Sequence, residues 1–185
     1  MEVTRLNLSL KRIVMIGLLA AGVFVASALL QIPIPTPVGQ TRLHMGNVLC
    51  LLSGILLGPL GGGFAAGLGS ALFDLTNPAY IASAPFTFIF KFFMGWVCGL
   101  IAWRGGHSKK AYLTGAILGS IAYVICYLFK SFVRDAWVRA LPMEAVWASL
   151  AHKGAISITN ALISVIVVVP LALTLRPTLR RFLEN

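Results

Sequence analysis

The chain has 185 residues, 58% of them hydrophobic and only 11% charged, with a mean hydropathy of +0.90. A water-soluble domain carries roughly 25% charged side chains, so this composition excludes one and requires lipid or a partner around its apolar surface. The formal net charge of +10 lies in short clusters beside apolar runs, which reads as membrane orientation and headgroup contact and not as nucleic-acid binding.

At this length a single integral membrane domain over 1–185 is expected. A spanning helix needs about 20 mostly apolar residues. Ile13–Ile32 is the first such run, stopped by Pro33, Pro35 and Pro37. Lys11, Arg12 and the small triplet Ala26-Ser27-Ala28 give it the outline of a secretory signal, but the run exceeds the roughly 7–15 residues of a signal core. It is read as a membrane helix. No charge occurs between Arg42 and Asp74, and Gly58-Pro59-Leu60-Gly61-Gly62-Gly63 breaks that stretch into Met45–Leu57 and Gly61–Leu75. Phe86–Trp103, Ala111–Phe129 and Ala151–Leu175 complete six spans, an all-α six-helix bundle.

Loop cations set the orientation. With the N-terminus inside, Arg5, Lys11, Arg12, Arg104, Lys109, Lys110, Arg176, Arg180 and Arg181 face inward, and Arg42, Lys130, Arg134, Arg139 and Lys153 outward. Both termini are therefore expected in the cytoplasm. Within Lys130–Leu150, Val133, Trp137, Ala140 and Leu141 recur at helical spacing, apart from Lys130, Arg134, Asp135 and Arg139. This predicts a short amphipathic helix on the outer interface, ended by Pro142.

Small residues spaced by four let membrane helices approach closely. The first helix has two such pairs, Gly17 with Ala21 and Gly22 with Ala26. One pair can pack inward while the other meets another membrane protein. Cys50, Cys98 and Cys126 lie in apolar runs without metal-ligand spacing and read as core residues; neither a metal nor a cofactor is expected.

Ionisable groups within spans are costly and mark functional sites. Lys91 is the clearest, and Asp74 is a candidate partner for it. Lys153, Ser157, Asn160 and Ser164 share one helix face. Tyr123, Tyr127 and Lys130 follow the same spacing, and His44 and Asn47 begin the second span. His44, Asn47, Asp74, Lys91, Tyr123, Tyr127, Lys153 and Asn160 all fall in the outer half of the bundle. A one-sided polar and aromatic set is how a small polar molecule is captured. Lys91, Lys130, Lys153 and Arg42 suit a carboxylate or phosphate; Tyr123, Tyr127 and Phe86 suit a flat ring.

No G-x-x-x-x-G-K-[ST] or H-E-x-x-H motif occurs. Ser70 and His152 fall at different depths, which argues against a hydrolytic pair. A channel needs polarity across the whole membrane, and none reaches the inner side. No enzyme is expected; the rival to a capturing subunit is a self-sufficient secondary carrier of a small solute.

Met45-Gly46-Asn47 through Gly58-Pro59-Leu60-Gly61-Gly62-Gly63, then Gly67, Ser70 and Asp74, resembles the S components of energy-coupling factor (ECF) transporters. The continuation Ala84-Pro85-Phe86-Thr87-Phe88-Ile89-Phe90-Lys91, with Gly95 and Gly99, is similar to the riboflavin-type branch. The resemblance covers residues 45–99. It implies a substrate-binding subunit in the bacterial cytoplasmic membrane that captures a vitamin at an outward pocket. Its partners would be a transmembrane coupling protein and two cytoplasmic ATPases. It also implies that Gly17, Ala21, Gly22 or Ala26 docks the coupling protein, and that Pro33 to His44 gates the pocket. Relatives take riboflavin, pyridoxine, pantothenate, cobalamin or queuosine precursors, and the substrate stays open.

Overall fold

In the computed structural model the chain is described over residues 9–36 and 38–184, with side chains through residue 179. Arg5 and Pro37 lie outside this range. Helix α1, Leu10–Leu29, opens at Ser9, whose hydroxyl accepts from the Arg12 amide at 3.4 Å, a side-chain cap for an otherwise unpaired N–H. It closes where Leu30 leaves helical geometry, three residues before the first proline, Pro33.

The segment after α1 is a β-hairpin. Strand β1, Gln31–Thr36, pairs antiparallel with β2, Gly39–His44, from Gln31 opposite His44 to Thr36 opposite Gly39. Pro33 and Pro35 lack an N–H, which a two-stranded ribbon with an open edge tolerates. Gly39 takes φ +89 at the turn, a left-handed conformation that glycine adopts without a Cβ clash.

Helix α2, Gly46–Thr76, contains one non-helical residue, Gly58, with φ 83 and ψ −176, followed by Pro59. The chain reverses there. A Cβ on Gly62 would lie 2.3 Å from the Gly54 Cα, and the Ser53 hydroxyl donates to the Gly62 carbonyl at 2.9 Å. Cys50 Sγ and Ser70 Oγ are 3.6 Å apart, whereas a straight helix would separate them by about 30 Å. Residues 46–57 and 59–76 thus form two antiparallel arms, close to the two short segments expected from the glycine-rich break. The Trp103 indole covers Gly58 and donates to the Ile55 carbonyl at 3.0 Å, pairing a backbone oxygen beside the break.

Helix α3, Ala84–Arg104, follows a 3-10 turn at Ile81–Ser83 and carries Pro85 in its first turn, where a missing N–H is harmless. Helix α4, Lys109–Val133, is capped by Ser108, which accepts from the Ala111 amide at 3.1 Å. It runs on into a π-helical turn, Arg134–Val138. Helix α5 is Met143–Glu184. Five helices among the described residues are long and apolar enough to cross a membrane, and the protein is a helical integral membrane protein.

Burial is uneven. In the most apolar stretch of α2, 83% of residues are buried, against 22% to 33% for the other four helices. The α2 arms are therefore the hub, and α1, α3, α4 and α5 pack on it with outer faces that suit lipid. Backbone meets backbone at the centre. A Cβ on Gly54 would fall 2.3 Å from the Gly95 carbonyl oxygen, and one on Gly99 would fall 2.7 Å from the Gly58 carbonyl carbon.

The separate amphipathic helix expected over Lys130–Leu150 is not formed. Its first half continues α4, and its second half is the start of α5. Within it one polar residue departs from the expected face: Asp135 is fully buried, while Trp137 is 76% exposed. Asp135 turns inward because three cations converge on it. Lys153 Nζ lies at 2.8 Å, Arg134 Nε at 3.1 Å and Arg139 Nη1 at 3.6 Å, and the Ser149 hydroxyl donates at 3.2 Å.

Candidate functional site

One polar cavity of about 70 Å³ lies where β2, the far end of α2, α3, α4 and α5 meet. Of the residues expected to line a pocket, His44, Asp74, Lys91, Tyr123, Tyr127 and Asn160 do so. Asn47 and Lys153 do not. Asn47 sits behind Lys91, accepting from its ammonium. Lys153 is held away by Asp135.

The hairpin is the roof. Asn160 grips its backbone twice: the side-chain carbonyl accepts from the His44 amide at 2.9 Å, and the amide NH2 donates to the Arg42 carbonyl at 2.8 Å. Thr41 and Tyr127 share a hydroxyl bond at 3.2 Å. Arg42 enters the cavity from β2 and pairs with Asp74 at 2.9 Å. Its guanidinium is stacked between Phe73 and Tyr80, 4.1 and 4.4 Å from the ring centroids. The other Asp74 oxygen accepts from Thr87 at 2.5 Å.

Lys91, only 1% exposed, does not pair with Asp74 as the sequence suggested. Arg42 has taken that carboxylate, and Lys91 instead lies 3.6 Å above the Tyr123 ring. Tyr123 and Tyr127 are stacked, 5.9 Å apart and 15° from parallel. Phe86 stands outside the cavity, half exposed, with Lys130 5.4 Å from its centroid. Lys153, Ser157, Asn160 and Ser164 are all buried, so the polar stripe of α5 does face inward.

Gln40, Thr41, Tyr80, Ser83, Thr87 and Phe90 are the lining residues that spacing does not single out. Arg42 counts in the sequence both as an orienting loop cation and as one of the cations that suit a carboxylate or phosphate, and a period-two reading of Gln40–His44 aims it inward. Ser70 meets Cys50 and His152 meets the Ala148 carbonyl at 2.8 Å, so no hydrolytic pair forms. Among the described residues no group of three or more His, Cys, Asp or Glu is placed to hold a metal.

His44 is outside the helices yet buried. Burial first, then the charges of Lys91 and Arg42, hold its imidazole well below the ordinary value. A lowered folded value means the unfolded chain binds the proton more readily. The stabilisation is full above the unfolded value of about 6.5 and fades as pH falls through the folded one. Acidification from about pH 7.5 to 5 is expected to lower the unfolding temperature in detergent, and His44→Gln to flatten that slope. An unchanged slope would place the proton uptake elsewhere.

A family model described as the S component of an ECF-type riboflavin transporter matches residues 7–177. The chain belongs to this family. A solved S component of a bacterial ECF transporter has the same fold, with a TM-score of 0.57 at 23% identity over 95% of this chain and 98% of that one. A protein of Pyrococcus woesei, described as an uncharacterized protein in the gap 3′ region, is 37% identical over 111 residues, 60% of this chain and 72% of that protein. As an S component the protein is a subunit of a vitamin transporter of the riboflavin type.

Proposed function

We propose that the chain, as one membrane unit over 1–185, is the high-affinity substrate-capturing subunit of an ECF-type uptake system. It takes a riboflavin-type vitamin into the cavity under the β-hairpin and delivers it with a coupling protein and two ATPases. The carrying observation is the cavity itself: a charged, aromatic and amide-lined chamber at one end of a bundle that the family match assigns to transport. At about 70 Å³ it is far below the roughly 300–1,000 Å³ of ligand pockets. Binding therefore requires the hairpin to lift, breaking the Asn160, Thr41–Tyr127 and Arg42–Asp74 links, and to close again over the ligand.

Counting the two arms of α2 separately gives six spans, with both termini cytoplasmic by the cation count and the cavity facing outward from the cell membrane. The pair on α1 that meets the coupling protein is then Gly17 and Ala21. Gly17 has open space where a Cβ would stand, and Ala21 is exposed. Gly22 and Ala26 are turned inward: a Cβ on Gly22 would touch Leu49 at 3.4 Å, and Ala26 is buried.

Quenching of flavin fluorescence by the purified protein, with mass spectrometry of small molecules it releases, tests the reading. Stoichiometric flavin binding is expected. A folded protein that neither binds flavin nor releases any small molecule would end it. Uptake by proteoliposomes of this chain alone, driven by an ion gradient, would replace it with the secondary-carrier reading.

Lys91 separates binding from folding. Lys91→Met keeps the volume and removes a buried charge without a carboxylate partner, which is often neutral or stabilising. The unfolding temperature should hold or rise, while affinity falls by roughly thirtyfold, about 2 kcal/mol for a bond to a charged group. Unchanged affinity would make Lys91 a purely structural residue.

A further inference from the structure

The chamber carries more positive charge than its own residues neutralise. Its lining has four cations, Arg42, Lys91, Lys130 and Arg134, and one carboxylate, Asp74. Behind it Lys153 and Arg139 join Arg134 on the single carboxylate of Asp135. Six cations thus share two carboxylates, both already engaged. Lys91 is buried without a carboxylate of its own, which is unfavourable, whereas Arg134 and Arg139 are a third or more exposed and partly screened by solvent.

Unpartnered hydrogen-bonding atoms gather in the same place. Among the described residues, Arg42 Nη1, the Tyr80 hydroxyl and His44 Nδ1 are buried without a partner, and all three residues line this cavity. Arg42 Nη1 can only donate, and Tyr80 OH donates readily. Asp74 occupies Nη2 of Arg42 and leaves Nη1 unused. Lys91 spends one proton on the neutral Asn47 amide and has two left. The lining offers donors and positive charge, and its one anionic acceptor, Asp74, is already engaged by Arg42 and Thr87.

We propose, resting on the substrate-site reading above, that the ligand of this chamber is an anionic solute. Its carboxylate or phosphate oxygens take Arg42 Nη1, the Tyr80 hydroxyl and Lys91, while Tyr123 and Tyr127 face its uncharged part. Asp74 then fixes the angle of the Arg42 fork and does not compete for it, because the two guanidinium nitrogens serve different oxygens.

The experiment compares riboflavin with riboflavin 5′-phosphate, one ring with and without the anion, by fluorescence titration of the full chain in detergent. The phosphate form is expected to bind at least tenfold tighter, as for bonds to charged groups. That ratio should fall toward one in Arg42→Gln and in Lys91→Met. Riboflavin binding as tightly as its phosphate, or a ratio unmoved in both variants, overturns the anion assignment and leaves the vitamin-binding reading intact. If neither flavin binds, that reading fails in its flavin form, and the compound released from the purified protein decides the charge. A soluble carboxylate or phosphate supports the inference; a neutral or cationic compound, or an anionic phospholipid alone, overturns it.

Discussion

Replacing Gly17 and Ala21 together with leucine should abolish vitamin uptake in cells while leaving ligand affinity within about twofold. Gly17 has no neighbouring atom within 4 Å of a Cβ position, and the face it shares with Ala21 also presents Ile13, Val14, Leu18 and Val25 to the outside. Nothing inside the protein resists the added volume, so folding should be unaffected. A partner helix that approaches through small residues would be pushed away, and loss of a central contact costs at least tenfold in association. Gly22→Leu would be a poor substitute, since Leu49 stands 3.4 Å from its Cβ position and misfolding would confound the result. Uptake that survives the double replacement would move the docking face off α1.

The second large effect concerns the central glycines. Gly54→Ala drives a methyl group to 2.3 Å from the Gly95 carbonyl oxygen, and Gly99→Ala drives one to 2.7 Å from the Gly58 carbonyl carbon. Both obstacles are backbone and cannot rotate away. Overpacking typically costs about 1–3 kcal/mol, and here two helices must also part. Each replacement should lower the unfolding temperature in detergent by roughly 5–10 °C, and leucine at Gly54 should leave no folded protein. Gly17→Ala is the matched control, expected to be neutral or slightly stabilising through helix propensity. A Gly54→Ala protein as stable as the parent would mean that α2 and α3 are farther apart than described.

Much of this was legible in the sequence because lipid imposes simple rules. Uncharged run lengths located the helices, and the Gly58-Pro59 break marked the reversal. The four-three-four spacing of Lys153, Ser157, Asn160 and Ser164 correctly turned that face inward. What escaped has physical reasons. Pro33 and Pro35 read in the sequence only as the stop of the first span, yet a lone ribbon has an open edge that tolerates them in a strand. Periodicity separates polar from apolar faces but does not say which side is dry. Asp135, paired with three cations, is therefore buried, while Trp137 points outward. Lys91 and Asp74 were rightly placed in one chamber, but Arg42, arriving from the hairpin, claimed the carboxylate.

The arms of α2 differ in length: residues 46–57 before Gly58 and 59–76 after it. At 1.5 Å per residue the first arm is about 9 Å shorter. Its start at Gly46 lies directly under His44 and against Ser27, whose hydroxyl stands 2.1 Å from the Gly46 Cβ position. The shorter arm thus stops below the end of the longer one and supports the chamber without lining it: Asn47, on its first turn, holds Lys91 from behind. Chamber height is then a separate quantity from chamber chemistry. Adding or removing one turn between Gly46 and Gly58 would shift that support by about 5.4 Å without replacing Arg42, Asp74 or Asn160. In this fold the length of one buried arm sets the height of the chamber independently of the residues that line it.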